Sequence, residues 1–439
     1  MRNFLEKLTK QLKNAEKSSK IKRYRITVGH AKSISSGASN IDFRGGYFPT
    51  NIQDSVDGRY LFQWPDNTLS KGYLGRASIN NFSDFLKEAR DASFEDSFGD
   101  NFPGSTEDPN VKTHYQSVLD LYQDPEEYLQ TWLERLSSWQ DLLNPEGSRH
   151  IGFEVTISEG VALCSEGLNL ESASTLTNFL SSYDDTLFLS GKSRKALQLP
   201  DVKEKKAREE KFFKLLKRNL DAKPRSGEWR VIFHPHVFQS LFFSLFLPNF
   251  SGSRVLKGES CFSIDDYKDK VRVFREDIEI TTDPTKDGRV DSYNFTGEAL
   301  PSKKTTFVKN GRLMTPVLTS KYARKAEMET TAKIKGYMDG TRIKTKGGQD
   351  YDSFTRKQDS ALLIYLALGM HAQEPITGNY SLPCPYAILI EDGEMVGNAP
   401  CVVNGNIFSD FNAEQMQILD YATEAPPAFA TKAKVTFST

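Results

Sequence analysis

The chain has 439 residues, with 57 Lys and Arg against 58 Asp and Glu and a formal charge of −1; that length suffices for two or three domains and a sizeable core. The balanced charge, with no basic stripe, argues against a nucleic-acid binder. The longest apolar stretch, Val237 to Leu247, is interrupted by Gln239 and Ser244, ends at Pro248, and is too short to span a bilayer.

The first part, residues 1–93, reads as helix, strands and helix. Phe4, Leu5, Leu8 and Leu12 form one helical stripe among lysines and Gln11, an amphipathic start rather than the apolar run of an export signal. Tyr24 to Val28 alternates like a strand, and Asp57-Gly58 predicts a hairpin turn before Tyr60-Leu61-Phe62. Asn81 or Ser83 caps a helix to about Ala92. Residues 94–112, crowded with Asp, Glu, Gly and Pro, read as an exposed linker.

A second unit, 113–222, contains the clearest helix. Asp124 is its N-cap, Pro125 its first helical residue, and Glu126 and Glu127 put acids in the first turn. Its stripe of Tyr128, Leu129, Trp132, Leu133 and Leu136 requires a partner surface. His150 to Leu189 is strand-like, with a turn expected at Glu159-Gly160. The helix expected over Val202 to Leu220 interleaves lysines with glutamates, the pattern of a solvated face with i,i+4 pairs.

The last unit, 223–439, is dominated by β signals. Val271–Phe274, Ile278–Thr281, Thr305–Val308 and Ala387–Ile390 have strand character, and Asn310-Gly311 and Asp392-Gly393 are hairpin turn pairs. Thr330 to Tyr351, rich in Lys, Gly and Thr, reads as a mobile surface excursion. The expected architecture is α+β: N-terminal α/β domains followed by a large, mainly antiparallel β C-terminal domain.

Few residues suggest chemistry. Cys164, Cys261, Cys384 and Cys401 are widely separated, the pattern of a reduced, intracellular protein in which Cys384 and Cys401 are buried structural residues. No Gly-x-Ser-x-Gly elbow, phosphate loop or dinucleotide fingerprint is present. The acidic clusters around Asp265-Asp266 and Glu276-Asp277 read as solvated loops. His234 and His236 lie where the strand beginning at Trp229 turns into the apolar helix Val237–Phe246. Side chains two apart on an extended segment share a face, so the pair could clamp a metal. No glutamate or third ligand accompanies them in sequence, and the alternative is a polar strand end. His30, His114, His150 and His371 have no ligand-like neighbours.

The most informative stretch is Asp291 to Arg324, DSYNFTGEALPSKKTTFVKNGRLMTPVLTSKYAR. Its Asp-x5-Gly, threonine-rich strand, Asn-Gly turn and Ala323-Arg324 resemble the hallmark segment of the TldD/PmbA family of peptide-processing metalloproteases. Other pieces resemble that family in order: Ser251–Ser260, Asp283-Pro284, Thr377–Ser381 (with Asn379 where Asp is usual) and Ile388–Glu394. The resemblance implies metal-assisted hydrolysis, in which a HExxxH helix binds zinc and its glutamate deprotonates the metal-bound water. Here Phe243, Ser244 and Leu245 stand on that helix, and Cys401 is followed by Val402 where the metal-bearing branch has a late Cys-Gly.

The resemblance is therefore to the PmbA (TldE) branch, whose metal-free subunit pairs with a zinc-bearing TldD subunit. It implies no catalytic residue and no cofactor in this chain, with zinc in a TldD-like partner. It further implies peptide as substrate and a dimer with that partner or with self; the charge balance, the short apolar runs and the lack of an export signal are the grounds for expecting no nucleic acid, no membrane and a cytoplasmic location. Thr377, Gly378, Asn379, Tyr380 and Ser381 are the candidate peptide-binding residues, as a sheet edge that takes an extended peptide as an added strand; otherwise they form an ordinary turn and strand. The approach to this edge departs from the family, with Leu366-Ala367-Leu368-Gly369-Met370-His371 in place of a Gly-rich segment. Two other readings remain: a homodimeric peptide-binding or scaffold protein without a protease partner, and a peptidase with a relocated site at His234 and His236.

Overall fold

A computed structural model describes residues 2–39, 50–143, 149–183, 187–198, 203–218, 220, 222, 224–334, 340–421 and 426–437. Its N-terminal half is built on one antiparallel sheet of 6 strands. In spatial order these are Leu69–Gly75, Thr50–Gln63, Arg23–Ser39, Arg149–Cys164, Asn169–Tyr183 and Leu187–Ser193. The stretches 1–93 and 113–222 both contribute strands to it, so residues 94–112 lie between strands of one sheet.

Period-2 alternation decides what covers each face. Ile26, Val28, Phe62 and Val161 pack under the helices Arg2–Lys17 and Phe82–Asp91. Further along the same face, Ile34, Phe153 and Phe179 pack under Gln116–Gln123 and Glu126–Leu143. Trp132 is the anchor there, with ring centroids 5.0 Å from Phe153 and 5.1 Å from Phe179. The stripe seen in the sequence thus finds its partner surface. Opposite residues such as Ala162 and Leu170 meet Phe295 and Ala299 of the C-terminal domain.

The turns expected at Asp57-Gly58 and Glu159-Gly160 are absent. Both pairs sit mid-strand, with Asp57 opposite Gly29 and Gly29 opposite Gly160. Gly58 serves a close approach instead: a Cβ there would lie 2.7 Å from the Thr27 carbonyl. Lateral pairing along strands of 14 to 17 residues overrides the local turn preference.

The C-terminal domain holds a mostly antiparallel sheet of 9 strands. Its main path runs Gln349–Asp350, Gln417–Asp420, Ala428–Phe437, Gly227–Phe233, Ser360–Leu366, Tyr386–Glu391, Glu394–Asn398. Cys401–Asn406 pairs with the far end of Ala428–Phe437, and Asn379–Cys384 pairs with Cys401–Asn406. One face carries Ile232, Leu363 and Ile390 under Phe212, Phe213 and Leu216 of the helix Lys203–Leu216. The other carries Val231, Phe233, Leu362 and Phe429 over the main core. A sheet of 4 strands, Arg312–Leu313, Thr305–Lys309, Glu279–Thr282 and Thr341–Lys344, completes the domain.

The Asn310-Gly311 and Asp392-Gly393 hairpins form as expected, each pair with positive φ at both residues. Val271–Phe274 is not a ladder strand; it lies against the Asn310-Gly311 hairpin through a bridge from Arg272 to Arg312 and irregular main-chain hydrogen bonds to Gly311 and Leu313. Its neighbours explain this, since Lys270 takes φ 51° and closes a turn before it. Within the stretch expected as an excursion, Thr341–Lys344 and Gln349–Asp350 are sheet strands, while 335–339 lie outside the described residues.

Candidate functional site

The strand Gly227–Phe233 is central, paired on one side with Ala428–Phe437 and on the other with Ser360–Leu366. It ends at His234, whose N–H donates to the Ile364 carbonyl at 3.0 Å. Pro235 then opens the helix Pro235–Leu241, where its missing N–H is no loss. The helix widens into one π turn, Phe242–Phe246, and tightens into a 3-10 turn, Leu247–Phe250. Phe238, Leu241, Phe242, Leu245 and Phe246 all point into the core. Phe246 stacks at 5.1 Å on Phe242 and 4.9 Å on Phe250, and Phe238 stacks at 4.9 Å on Phe429. The residues that the family resemblance sets against HExxxH are thus aromatic and aliphatic packing, with Ser244 among them. They fit no metal, because none of them supplies an imidazole, carboxylate or thiolate.

His234 and His236 do meet. Their Nδ1 atoms are 2.5 Å apart, and His234 Nε2 is 2.8 Å from the Tyr421 hydroxyl. Rings surround the buried His234, with Phe212 at 5.7 Å and Tyr365 at 4.9 Å between centroids. Among the described residues, no group of three or more His, Cys, Asp and Glu is placed to hold a metal.

The five residues Thr377 to Ser381 divide between a turn and a strand. Thr377 and Gly378 form the turn, with Gly378 at φ 72°, and Asn379–Cys384 is the strand. This strand is an edge: Cys401–Asn406 pairs with it on one side only. Tyr380, Leu382 and Cys384 are buried, while Asn379, Ser381 and Pro383 are exposed or outward. Asn406 pins its start, donating to the Thr377 carbonyl at 2.7 Å and to Asn379 Oδ1 at 2.8 Å.

Beneath the edge lies a buried polar cluster that sequence reasoning missed. The Tyr380 hydroxyl donates to Asp410 Oδ2 at 2.7 Å, and Thr431 Oγ1 reaches Asp410 Oδ1 at 3.4 Å. Burial pushes the Asp410 carboxyl up to about 6, against the two hydrogen bonds that lower it. The Tyr380 phenol is raised well above its usual value, first by burial and then by the Asp410 charge. Tyr380 fits because Gly405 faces it across the ladder; a Cβ at Gly405 would clash with its hydroxyl and ring. The one local signal was Asn406, which caps the helix Ile407–Asn412 and so sets Asp410 inward on its first turn.

The Asp291–Arg324 stretch occupies the seam with the N-terminal sheet. Arg194 crosses the seam, donating to the carbonyls of Arg289, Val290 and Ser292 at 3.2, 2.7 and 3.1 Å, and to Thr175 at 3.2 Å on its own side. Asn294 accepts from the Val111 N–H at 2.7 Å and donates to the Val111 carbonyl at 3.2 Å. Thr27 donates to the Gly297 carbonyl at 3.1 Å, Lys321 pairs with Asp96 at 2.5 Å, and Arg324 pairs with Asp100. The segment 94–112 is therefore a clamp onto the C-terminal domain, with Asp96 and Asp100 paired across the seam.

Residues 226–423 match the PmbA/TldA metallopeptidase C-terminal domain. This part of the chain belongs to that family. The fold of the whole chain is similar to TldE from Thermococcus kodakarensis, with a TM-score of 0.76 and 17% identity over 97% of this chain and 99% of that one. It is also similar to a candidate DNA gyrase modulator from Thermotoga maritima, with a TM-score of 0.75 and 18% identity over 99% of this chain and 100% of that one. An uncharacterized protein of Methanocaldococcus jannaschii is 24% identical over 202 residues, 45% of this chain and 47% of the relative. That match spans about half the relative's length. No helix among the described residues is long and apolar enough to cross a membrane.

Proposed function

We propose that this chain is the metal-free subunit of a two-chain zinc peptidase of TldD/TldE type, which works in the cytoplasm on small or unfolded peptides. The observation that carries the reading is the helix Pro235–Leu241 with its π extension, whose inward residues are an aromatic core within a TldE-like fold. Zinc, the water it activates and the glutamate base would all come from a TldD-like partner. This chain would bind and orient peptide, with the outer edge of Asn379–Cys384 as the site for main-chain pairing.

The test is co-purification from the native source. Recovery of a chain bearing HExxxH, at equal stoichiometry and with peptidase activity dependent on both chains, is the expected result. Recovery of this chain only with itself would leave a homodimeric peptide-binding scaffold and remove the protease assignment.

A further inference from the structure

The outer edge of Asn379–Cys384 is not open. Ser381 turns its main chain away from Cys401–Asn406, and the side chain of Gln373 meets it there. Gln373 Oε1 accepts from the Ser381 N–H at 3.0 Å, and Gln373 Nε2 approaches the Ser381 carbonyl at 3.4 Å. A side-chain amide thus offers one acceptor and one donor to a single strand residue, as the opposite residue of a neighbouring antiparallel strand does with its own C=O and N–H. Two residues on, the Pro383 carbonyl accepts from the Leu368 N–H at 2.8 Å, so the next outward group is taken as well. Both contacts come from the segment Leu368–Ile376.

That segment is held in place at intervals. Gln373 Nε2 also donates to the Gly369 carbonyl at 2.8 Å, which aims the amide at the edge. The buried Asn249 donates to the Pro375 carbonyl at 2.7 Å and to the Leu245 carbonyl at 2.9 Å, tying the segment to the end of the aromatic helix. Yet the segment adds little apolar burial of its own: Leu368 is 49% and Ile376 42% exposed. A few neutral hydrogen bonds hold it, and each is worth only about 1 kcal/mol net. Main chain from another source can replace such bonds one for one.

We propose that Leu368–Ile376 is an internal plug, in which the Gln373 amide stands in for an extended peptide that competes for the outer edge of Asn379–Cys384. The proposal rests on the peptide-binding role given above and adds its regulation: peptide enters only as Gln373 leaves. Selection is for extended main chain, because the groups at stake are the N–H and carbonyl of Ser381 and the carbonyls of Asn379 and Pro383.

Fluorescence anisotropy with a labelled Lys-Val-Thr repeat peptide tests this on the full chain. Gln373→Ala removes the plug's amide and leaves the edge intact, and is expected to tighten binding roughly thirtyfold, the equivalent of two neutral hydrogen bonds no longer displaced. Ser381→Pro deletes the outward N–H at an edge position where proline is tolerated, and combined with Gln373→Ala it is expected to abolish the gain. Unchanged or weaker binding by Gln373→Ala overturns the plug. If all forms bind with equal affinity, peptide binds elsewhere on the chain and only the plug fails. If none binds, the peptide-binding role falls with it. Unchanged thermal unfolding of Gln373→Ala confirms that the comparison is between folded proteins.

Discussion

The aromatic helix and the Asp291–Arg324 stretch tie this chain to the same metallopeptidases from opposite physical environments. Around Phe242–Phe246 the inward side chains are rings and aliphatics, and the one buried polar side chain at the end of the helix, Asn249, is spent on main-chain hydrogen bonds. Along Asp291–Arg324 the contacts are carbonyls, an amide, a guanidinium and ion pairs that join two halves of the molecule. The first environment is where hydrolytic chemistry would need ligands, and the second is structural mortar. The seam can be kept whole in a chain whose helix is apolar, because nothing in the seam depends on a metal. A family signature read on the seam is evidence of architecture, and chemistry has to be read on the helix.

The comparison predicts the largest effect inside the core. Phe246→Ala removes a ring stacked between Phe242 and Phe250 and close to Phe411, and should lower stability by about 3–5 kcal/mol in urea unfolding. A loss below about 1 kcal/mol would show that the helix is not the packing centre of the domain. At the seam, Arg194→Met strips four carbonyls of a buried donor, for an expected loss of about 3 kcal/mol, with faster proteolysis between the two halves.

The polar cluster under the edge gives a smaller effect, with a definite sign. The Asp410 carboxyl is raised in the folded chain to about 6, above its unfolded value near 4. Its contribution is fully present below the unfolded value and is lost as pH rises through about 6. Asp410→Asn should therefore flatten the pH dependence of unfolding between about 4 and 6, by about 2–3 kcal/mol across that window. An unchanged profile would move the titration to other groups. The smallest effect belongs to Lys321→Met, which breaks a partly exposed pair with Asp96 and should cost about 0.5–1 kcal/mol, less at high salt.

Much of this was legible where local chemistry and tertiary structure agree. Asn310-Gly311 and Asp392-Gly393 form the hairpins they suggest, and the Tyr128–Leu133 stripe covers the sheet as its period requires. The α+β class was also readable. Asp57-Gly58 and Glu159-Gly160 misled, because lateral pairing on both sides decides long strands and leaves no trace in a dipeptide. Residues 94–112 read as linker because partners such as Lys321 and Arg324 lie far away in sequence. Asp410, Thr431 and Gln373 left little local trace for a related reason: they act through long-range or loop-mediated contacts that set up no periodicity.

Zinc stoichiometry bears most directly on the central claim that this chain has architecture without catalytic metal. The purified chain, incubated with zinc and desalted, is expected to retain far less than one zinc per chain and to hydrolyse no unfolded peptide until a HExxxH-bearing chain is added. One tightly held zinc per chain, lost in the His234→Ala/His236→Ala double variant, would contradict it and move the chemistry to the pair at the end of the central strand.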